Sequence, residues 1–192
     1  MDNLNHLIEK ISLENQIGLE DIPSIDLYMD QVIQLFENKF AGSKRNENEK
    51  VLTKTMINNY AKGKLFIPIK NKKYSKQHLI LISLIYQLKG GLSINDIKAT
   101  LDGINEKIID GDIDLERFYN SYLSLSRRNI ESFKEDLKHR ASETMEEVAK
   151  LEDKQPAQLE KILLVASLVN ISQLYRRAAE KLVDEIIAER ES

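Results

Sequence analysis

The sequence predicts an all-α protein that carries one minimal β element and ends in a long helical hairpin. Three observations lead there. Among 192 residues, glycine (7) and proline (3) are scarce and tryptophan is absent, which disfavours a sheet-rich fold. Residues 112–192 contain no glycine and a single proline, Pro156, and their apolar residues recur every three to five positions. The one β-like stretch, Leu65-Phe66-Ile67-Pro68-Ile69, is interrupted by a proline that a central strand would not accept.

The elements run in order along the chain. Leu4, Leu7, Ile8 and Ile11 fall at helical spacing and predict a short N-terminal helix. Gly18 to Ile25 reads as a loop closed by Pro23. Asp30 is placed to cap a helix whose apolar face is Val32, Ile33, Phe36 and Phe40. Ala41 to Lys50 is polar and reads as a connection. Thr53 caps a short helix with Met56, Ile57 and Tyr60 on one side, and Gly63-Lys64 ends it. Leu65–Ile69, the turn-like Lys70-Asn71-Lys72, and Lys73-Tyr74 then form a small hairpin or wing. Ser75 caps a helix from Lys76 to Lys89 that is apolar almost all round, so it belongs at the centre of a core. Gly90-Gly91 stops it. Ser93 and Asp96 open the next helix, whose buried side is Ile94, Ile97 and Leu101. Asp114 caps a long helix with a seam of Leu115, Phe118, Tyr122, Leu125, Ile130, Phe133, Leu137, Met145, Val148 and Leu151. Pro156 breaks it. Leu159, Ile162, Leu163, Ala166, Val169, Leu174, Leu182 and Ile186 form the seam of a second long helix. Two such seams do not bury all their apolar surface alone, so they pack on the N-terminal half or on a second subunit.

Composition bounds the function. The chain is globular in character, with 42% hydrophobic and 31% charged residues. With no cysteine, disulfides and thiolate metal sites are excluded. No apolar run reaches the length of a membrane span, and Met1-Asp2-Asn3-Leu4 does not open like a secretory signal, so a cytoplasmic location is expected. His6, His78 and His139 lie in separate elements without ligand spacing, so no metal is expected. Neither a phosphate-binding glycine loop nor a nucleophile motif occurs, and we expect neither an enzyme nor a cofactor. Arg127-Arg128 and Arg176-Arg177 are expected to meet acids across the hairpin, with a ligand as the alternative.

Charge is where the sequence is most unusual. Residues 50–95 contain nine lysines and no aspartate or glutamate, whereas the remainder carries 19 basic and 31 acidic residues. A surface that gathers cations and excludes carboxylates suits a polyphosphate partner. A solvated lysine face on an ordinary domain is the plain alternative.

Within this window the helix capped by Thr53 has an outer face of Lys54, Thr55, Asn58, Asn59 and Lys62, and Thr53 and the residues of this face are DNA-binding candidates. A helix of about ten residues is roughly 15 Å long and fits a major groove about 12 Å wide. Asparagine pairs bidentately with adenine N6 and N7, so Asn58 or Asn59 is the base-reading candidate. Helix-end chemistry explains the same pair without DNA. Lys54, Lys62, Lys70, Lys72 and Lys73, with Asn71 in the turn, suit phosphates, which position a protein without specifying sequence. Tyr74 either offers its hydroxyl to a phosphate or packs on Phe66. Tyr60 shares a face with Met56 and Ile57 and is expected in the core.

The order of elements over residues 28–104 resembles a winged helix-turn-helix of the MerR type. Thr53-Lys54-Thr55-Met56-Ile57-Asn58-Asn59-Tyr60 resembles the second helix of such a domain. Leu65-Phe66-Ile67-Pro68 resembles the entry to its wing, Lys73-Tyr74-Ser75 the exit, and Ser93-Ile94-Asn95-Asp96-Ile97-Lys98 the start of its fourth helix. The wording is closer still to a smaller bacterial family, the domain of unknown function 1836. Ile22-Pro23-Ser24-Ile25-Asp26-Leu27-Tyr28-Met29-Asp30-Gln31-Val32 is similar to that family's opening, and Leu52 to Tyr60 to its central motif. The chain departs from MerR-type proteins in three places. The second helix and wing carry lysine instead of arginine. Lys64 occupies the position, four residues after the tyrosine, where glycine is usual. The linker from Ala41 to Lys50 is long for a tight turn.

The resemblance implies a transcriptional regulator that binds double-stranded DNA at a specific operator. It divides the chain into an N-terminal extension (1–21), a MerR-like DNA-binding domain (22–104) and a helical dimerisation or regulatory region (105–192). A homodimer through the C-terminal helices would set two recognition helices one or two helical turns apart on a pseudo-palindromic site, with an unidentified effector as a further partner. The alternative is an all-α protein-interaction adaptor whose lysine face meets an acidic partner. RNA fits less well, because the window lacks aromatic clusters for stacking bases.

Overall fold

The computed structural model describes residues 2–11, 13 and 15–191, without the side chains of Asp2 and Asn3. Among these residues the chain is mostly helical. Its elements are α1 (Asp2–Lys10), β1 (Leu27–Tyr28), α2 (Met29–Lys39), α3 (Lys54–Lys62), β2 (Lys73–Tyr74), α4 (Lys76–Leu88), α5 (Ile94–Asp110), α6 (Leu115–Ala149) and α7 (Pro156–Glu191). Short 3-10 turns lie at Leu19–Asp21 and Ala41–Ser43.

Local chemistry sets most of the boundaries. Thr53 Oγ1 accepts from Met56 N at 3.1 Å, Ser93 Oγ from Asp96 N at 3.2 Å, and Asp114 Oδ1 from Arg117 N at 2.9 Å. Each satisfies a first-turn N–H that the helix itself leaves without a partner. Gly111 ends α5 in the left-handed region at φ 78°, where glycine has no Cβ penalty. The start of α2 differs from expectation. Its N-cap is Tyr28, two residues before Asp30, and the Tyr28 N–H donates to Gln31 Oε1 at 2.9 Å. Asp30 lies in the first turn instead, where its charge still favours the helix dipole.

The β element also differs in its partner. Lys73–Tyr74 pairs antiparallel with β1, Leu27 opposite Tyr74 and Tyr28 opposite Lys73, and not with Leu65–Ile69. The latter segment contributes buried Leu65 and Phe66 and meets the turn through one bridge, Lys70 to Lys73.

The core forms around α4, in which eight consecutive residues from His78 to Ile85 are buried. Val32 and Phe36 of α2, Ile57 and Tyr60 of α3, and Ile97 and Leu101 of α5 close around it, as expected from their spacing. Ile94, expected on the buried side of α5, is 46% exposed. Core packing continues past α5, because Leu115, Tyr119 and Leu123 of α6 belong to the same cluster, as does Ile17 before β1. The Tyr119 hydroxyl donates to the Ile17 carbonyl at 2.7 Å and sits 2.8 Å from Ser83 Oγ, which joins α6, α4 and the N-terminal segment.

The helices α6 and α7 pack on each other, and α7 also packs on α5. Arg190 pairs there with Glu106. The expected seams are met in part: on α6 Leu115, Leu137 and Val148 are buried and Tyr122, Ile130 and Phe133 half-buried, and on α7 Leu159 and Ile186 are half-buried. On α6 the buried residues are Leu115, Tyr119, Leu123, Leu137, Thr144 and Val148, whereas Phe118, Leu125, Met145 and Leu151 are exposed. On α7 only Val183 is buried, with Leu164, Leu168, Ile171 and Ile186 half-buried; Ile162, Leu163, Val169, Leu174 and Leu182 face outward. Arg176 pairs along its own helix with Glu180 at 2.8 Å and not across the hairpin.

Candidate nucleic-acid interface

The apolar residues of α3 fix which way the helix faces. Ile57 and Tyr60 are buried against the core, and the opposite side leaves Lys54, Thr55, Asn58, Asn59 and Lys62 exposed, as their spacing predicts. At nine residues the helix is about 14 Å long, matched to a major groove about 12 Å wide. Burial pushes the Tyr60 hydroxyl above its usual range, in keeping with a core aromatic.

After α3 the backbone is held in unusual geometry. Lys64 has φ 55°, Asn71 52° and Lys72 58°. Left-handed backbone costs a lysine about 1–2 kcal/mol. At Lys64 glycine would be free of that cost. Asn71 and Lys72 are the two central residues of a tight turn, closed by the Lys73 N–H donating to Lys70 O at 3.0 Å. Two successive positive φ angles define a type I′ turn, for which Asn-Gly is the preferred pair. The chain keeps Asn71 but puts a cation where glycine is favoured.

Lys70, Asn71 and Lys72 are exposed at this turn and Lys73 is half-buried. Tyr74 does not join them. It is 2% exposed, with its ring edge-on to Phe66 and His78. The alternation of β2 requires this: with Lys73 facing outward, Tyr74 points into the core. Its hydroxyl is therefore not offered to a phosphate, and burial raises its pKa.

The short strand β1 links helix and turn. Tyr28, 55% exposed, lies opposite Lys73, whose Nζ is 5.4 Å from the Tyr28 ring centre. Two residues on, Asp30 pairs with Lys54 of α3 at 2.8 Å. The start of α3 and the Lys70–Lys73 turn thus flank the same short strand. Sequence reasoning misses Tyr28. Its signal is an alternation of only two residues, buried Leu27 and exposed Tyr28, too short to read as a strand.

The remaining lysines of the acid-free stretch divide in two. Lys76 pairs with Glu116, and Lys89 is packed inward, donating to the Val51 carbonyl at 3.1 Å over the Tyr86 ring. Burial lowers the pKa of Lys89. Among the described residues, no ion pair joins Lys62, Lys64, Lys70 or Lys72 to a carboxylate.

Behind the turn, His78 holds the approach segment. Its Nδ1 accepts from Ser75 N at 3.1 Å and lies 2.8 Å from Ser75 Oγ, and its Nε2 donates to Ile67 O at 3.2 Å. These bonds fix one neutral tautomer. Burial lowers the His78 pKa, against the carbonyls that favour its charged form. Asn105 of α5 donates to Leu65 O at 3.1 Å and secures the other end of the segment. Among the described residues, no group of three or more His, Asp or Glu is arranged to hold a metal, and no helix is long and apolar enough to cross a membrane.

Comparison with known protein families places the chain. It belongs to the family described as Domain of unknown function (DUF1836), whose model matches residues 17–122. The match begins at buried Ile17 and ends inside α6, and so spans all of the core cluster around α3 and the turn except Leu123. Among curated proteins and solved structures, none matches the chain.

Proposed function

We propose that the protein is a sequence-specific double-stranded DNA-binding transcriptional regulator. It would read DNA with α3 and clamp the backbone with the Lys70–Lys73 turn, in the manner of a MerR-like winged helix-turn-helix. The observation that carries this reading is the continuity of α3, β1 and the turn. A polar helix face with two asparagines is bordered by exposed lysines, in a chain whose other residues are strongly acidic in balance. Asn58 and Asn59 would read bases; Lys54, Lys62, Lys70, Lys72 and Lys73 would hold phosphates. The left-handed Lys72 supports a cation at the turn tip, because the position otherwise favours glycine.

Selection of bound duplexes from a random pool tests the reading directly, and a sharp motif is the expected result. On the selected site, five phosphate contacts give a slope of log affinity against log salt of about −4.5. Replacing Lys70, Lys72 and Lys73 together with glutamate should flatten that slope by about three and abolish tight binding. Asn58→Ala should relax preference at one base position, at a cost of about 1–3 kcal/mol. A flat selection profile, together with capture of an acidic protein that the triple variant fails to bind, would establish the adaptor instead.

A further inference from the structure

We infer that Tyr28 is a positioning residue of the DNA site, its hydroxyl donating to a backbone phosphate between α3 and the Lys70–Lys73 turn. This rests on the DNA-binding reading and adds to it a residue of different chemistry from the lysines. Tyr28 is 55% exposed within the basic face. Leu27 beside it is buried, so the alternation of β1 turns Tyr28 outward. Its N–H donates to Gln31 Oε1 at 2.9 Å as the N-cap of α2, and Lys73 lies opposite it in the strand pair. The side chain therefore springs from backbone that is fixed on two sides.

The hydroxyl is uncommitted. Among the described residues it takes part in no hydrogen bond, and the ring lies 5.4 Å from the Lys73 Nζ. A phenol O–H beside a lysine suits an anionic acceptor, because the donor makes a charge-assisted bond while the cation offsets the charge. Position points to the same partner. With α3 in a major groove and the turn on the flanking backbone, β1 borders both and lies over the phosphates between them. Tyrosine is among the side chains that hold phosphates without reading sequence. Its ring is large and rigid, so it aims the hydroxyl at little entropic cost.

Tyr28→Phe is the test, because it keeps the ring beside Lys73 and removes only the donor. On the selected duplex its affinity should fall at least about 10-fold, as for a lost hydrogen bond to a charged group. The melting temperature should stay unchanged, since the hydroxyl bonds nothing in the free protein. The slope of log affinity against log salt should match the wild type, because a neutral side chain displaces no counterion. The fold loss should be the same on a random-sequence duplex at low salt, because a phosphate carries no sequence information. Single phosphates of the selected duplex replaced by neutral methylphosphonates supply the position. At one of them the replacement should cost the wild type more affinity than it costs Tyr28→Phe. Full affinity in Tyr28→Phe, a changed salt slope or base preference, or equal costs for both proteins at every replaced phosphate would each overturn the inference and leave the DNA reading standing. A wild type without affinity for any duplex would overturn both.

Discussion

Lys72 sets stability against function in one side chain. Its backbone is in the left-handed region at φ 58°, where glycine rests without strain. Lys72→Gly removes that strain but frees the unfolded chain, so a net gain of about 0.5–1 kcal/mol is expected by chemical denaturation. On the proposed reading, the same change removes one phosphate contact and should reduce the salt slope of DNA binding by about one. A variant that lost stability would show that the lysine stem packs usefully here. Asp30 works in the opposite direction. It is the carboxylate at the edge of the basic face, 2.8 Å from Lys54, and both partners are largely exposed. An exposed pair of this kind adds little to the fold, while on the proposed reading it would compete with a phosphate for the lysine. Asp30→Asn is expected to leave the melting temperature nearly unchanged and to tighten DNA binding several-fold at low salt, with the gain vanishing at high salt.

At the scale of elements, His78 fastens the N-terminus of α4 to the segment that leads into the turn. Its folded pKa is depressed by burial relative to the unfolded value of about 6.5. The unfolded state thus binds the proton more readily than the folded state does. The contribution of His78 to stability is full above pH 6.5 and is lost as pH falls from there through the folded value. Protonation also removes the acceptor at Nδ1 that receives the Ser75 N–H. Stability measured by denaturant between about pH 7.5 and 5 should fall in the wild type and fall less in His78→Asn, which cannot take up that proton. Equal slopes would assign the pH dependence to other groups. Most helices are legible in the sequence because each cap and each apolar face is written within a few residues: Thr53 with Met56, Ser93 with Asp96, and Val32 with Phe36. The outer face of α3 is legible for the same reason, since buried Ile57 and Tyr60 dictate which residues remain outside. The partner of Lys73–Tyr74 is not, because β1 is two residues long and lies more than forty positions upstream. For Tyr74 the sequence leaves a phosphate and Phe66 both open, and that pairing selects Phe66. The seams of α6 and α7 are legible only in part, because both helices have apolar residues on more than one side: Leu115, Leu137 and Val148 are buried as their spacing predicts, whereas Tyr119 and Leu123 are buried by joining the core around α4.

Across the whole molecule, Tyr119 is the point where the hairpin and the rest of the chain become one structure. Its ring is 1% exposed, and its hydroxyl reaches the Ile17 carbonyl, 102 positions away in sequence, and Ser83 at the centre of α4. Desolvation pushes its pKa up to about 12, despite the hydrogen bond from Ser83, so the hydroxyl stays protonated and keeps donating throughout the physiological range. Tyr119→Phe keeps the ring and deletes only the donor, leaving a buried carbonyl and a buried serine hydroxyl each short of a partner. That should cost about 1–3 kcal/mol and, for a chain of this size, lower the melting temperature by about 2–4 °C per kcal/mol. How the loss appears is the informative part. Because α6 contributes Leu115, Tyr119 and Leu123 to the same cluster as α2 to α5, thermal unfolding followed at the helices and at the buried tyrosines should shift together as one transition. If the variant instead split the melt in two, with the tyrosine signal lost first, α6 and α7 would be a separable unit merely leaning on the basic domain, and a signal received by the hairpin would have no rigid route to α3.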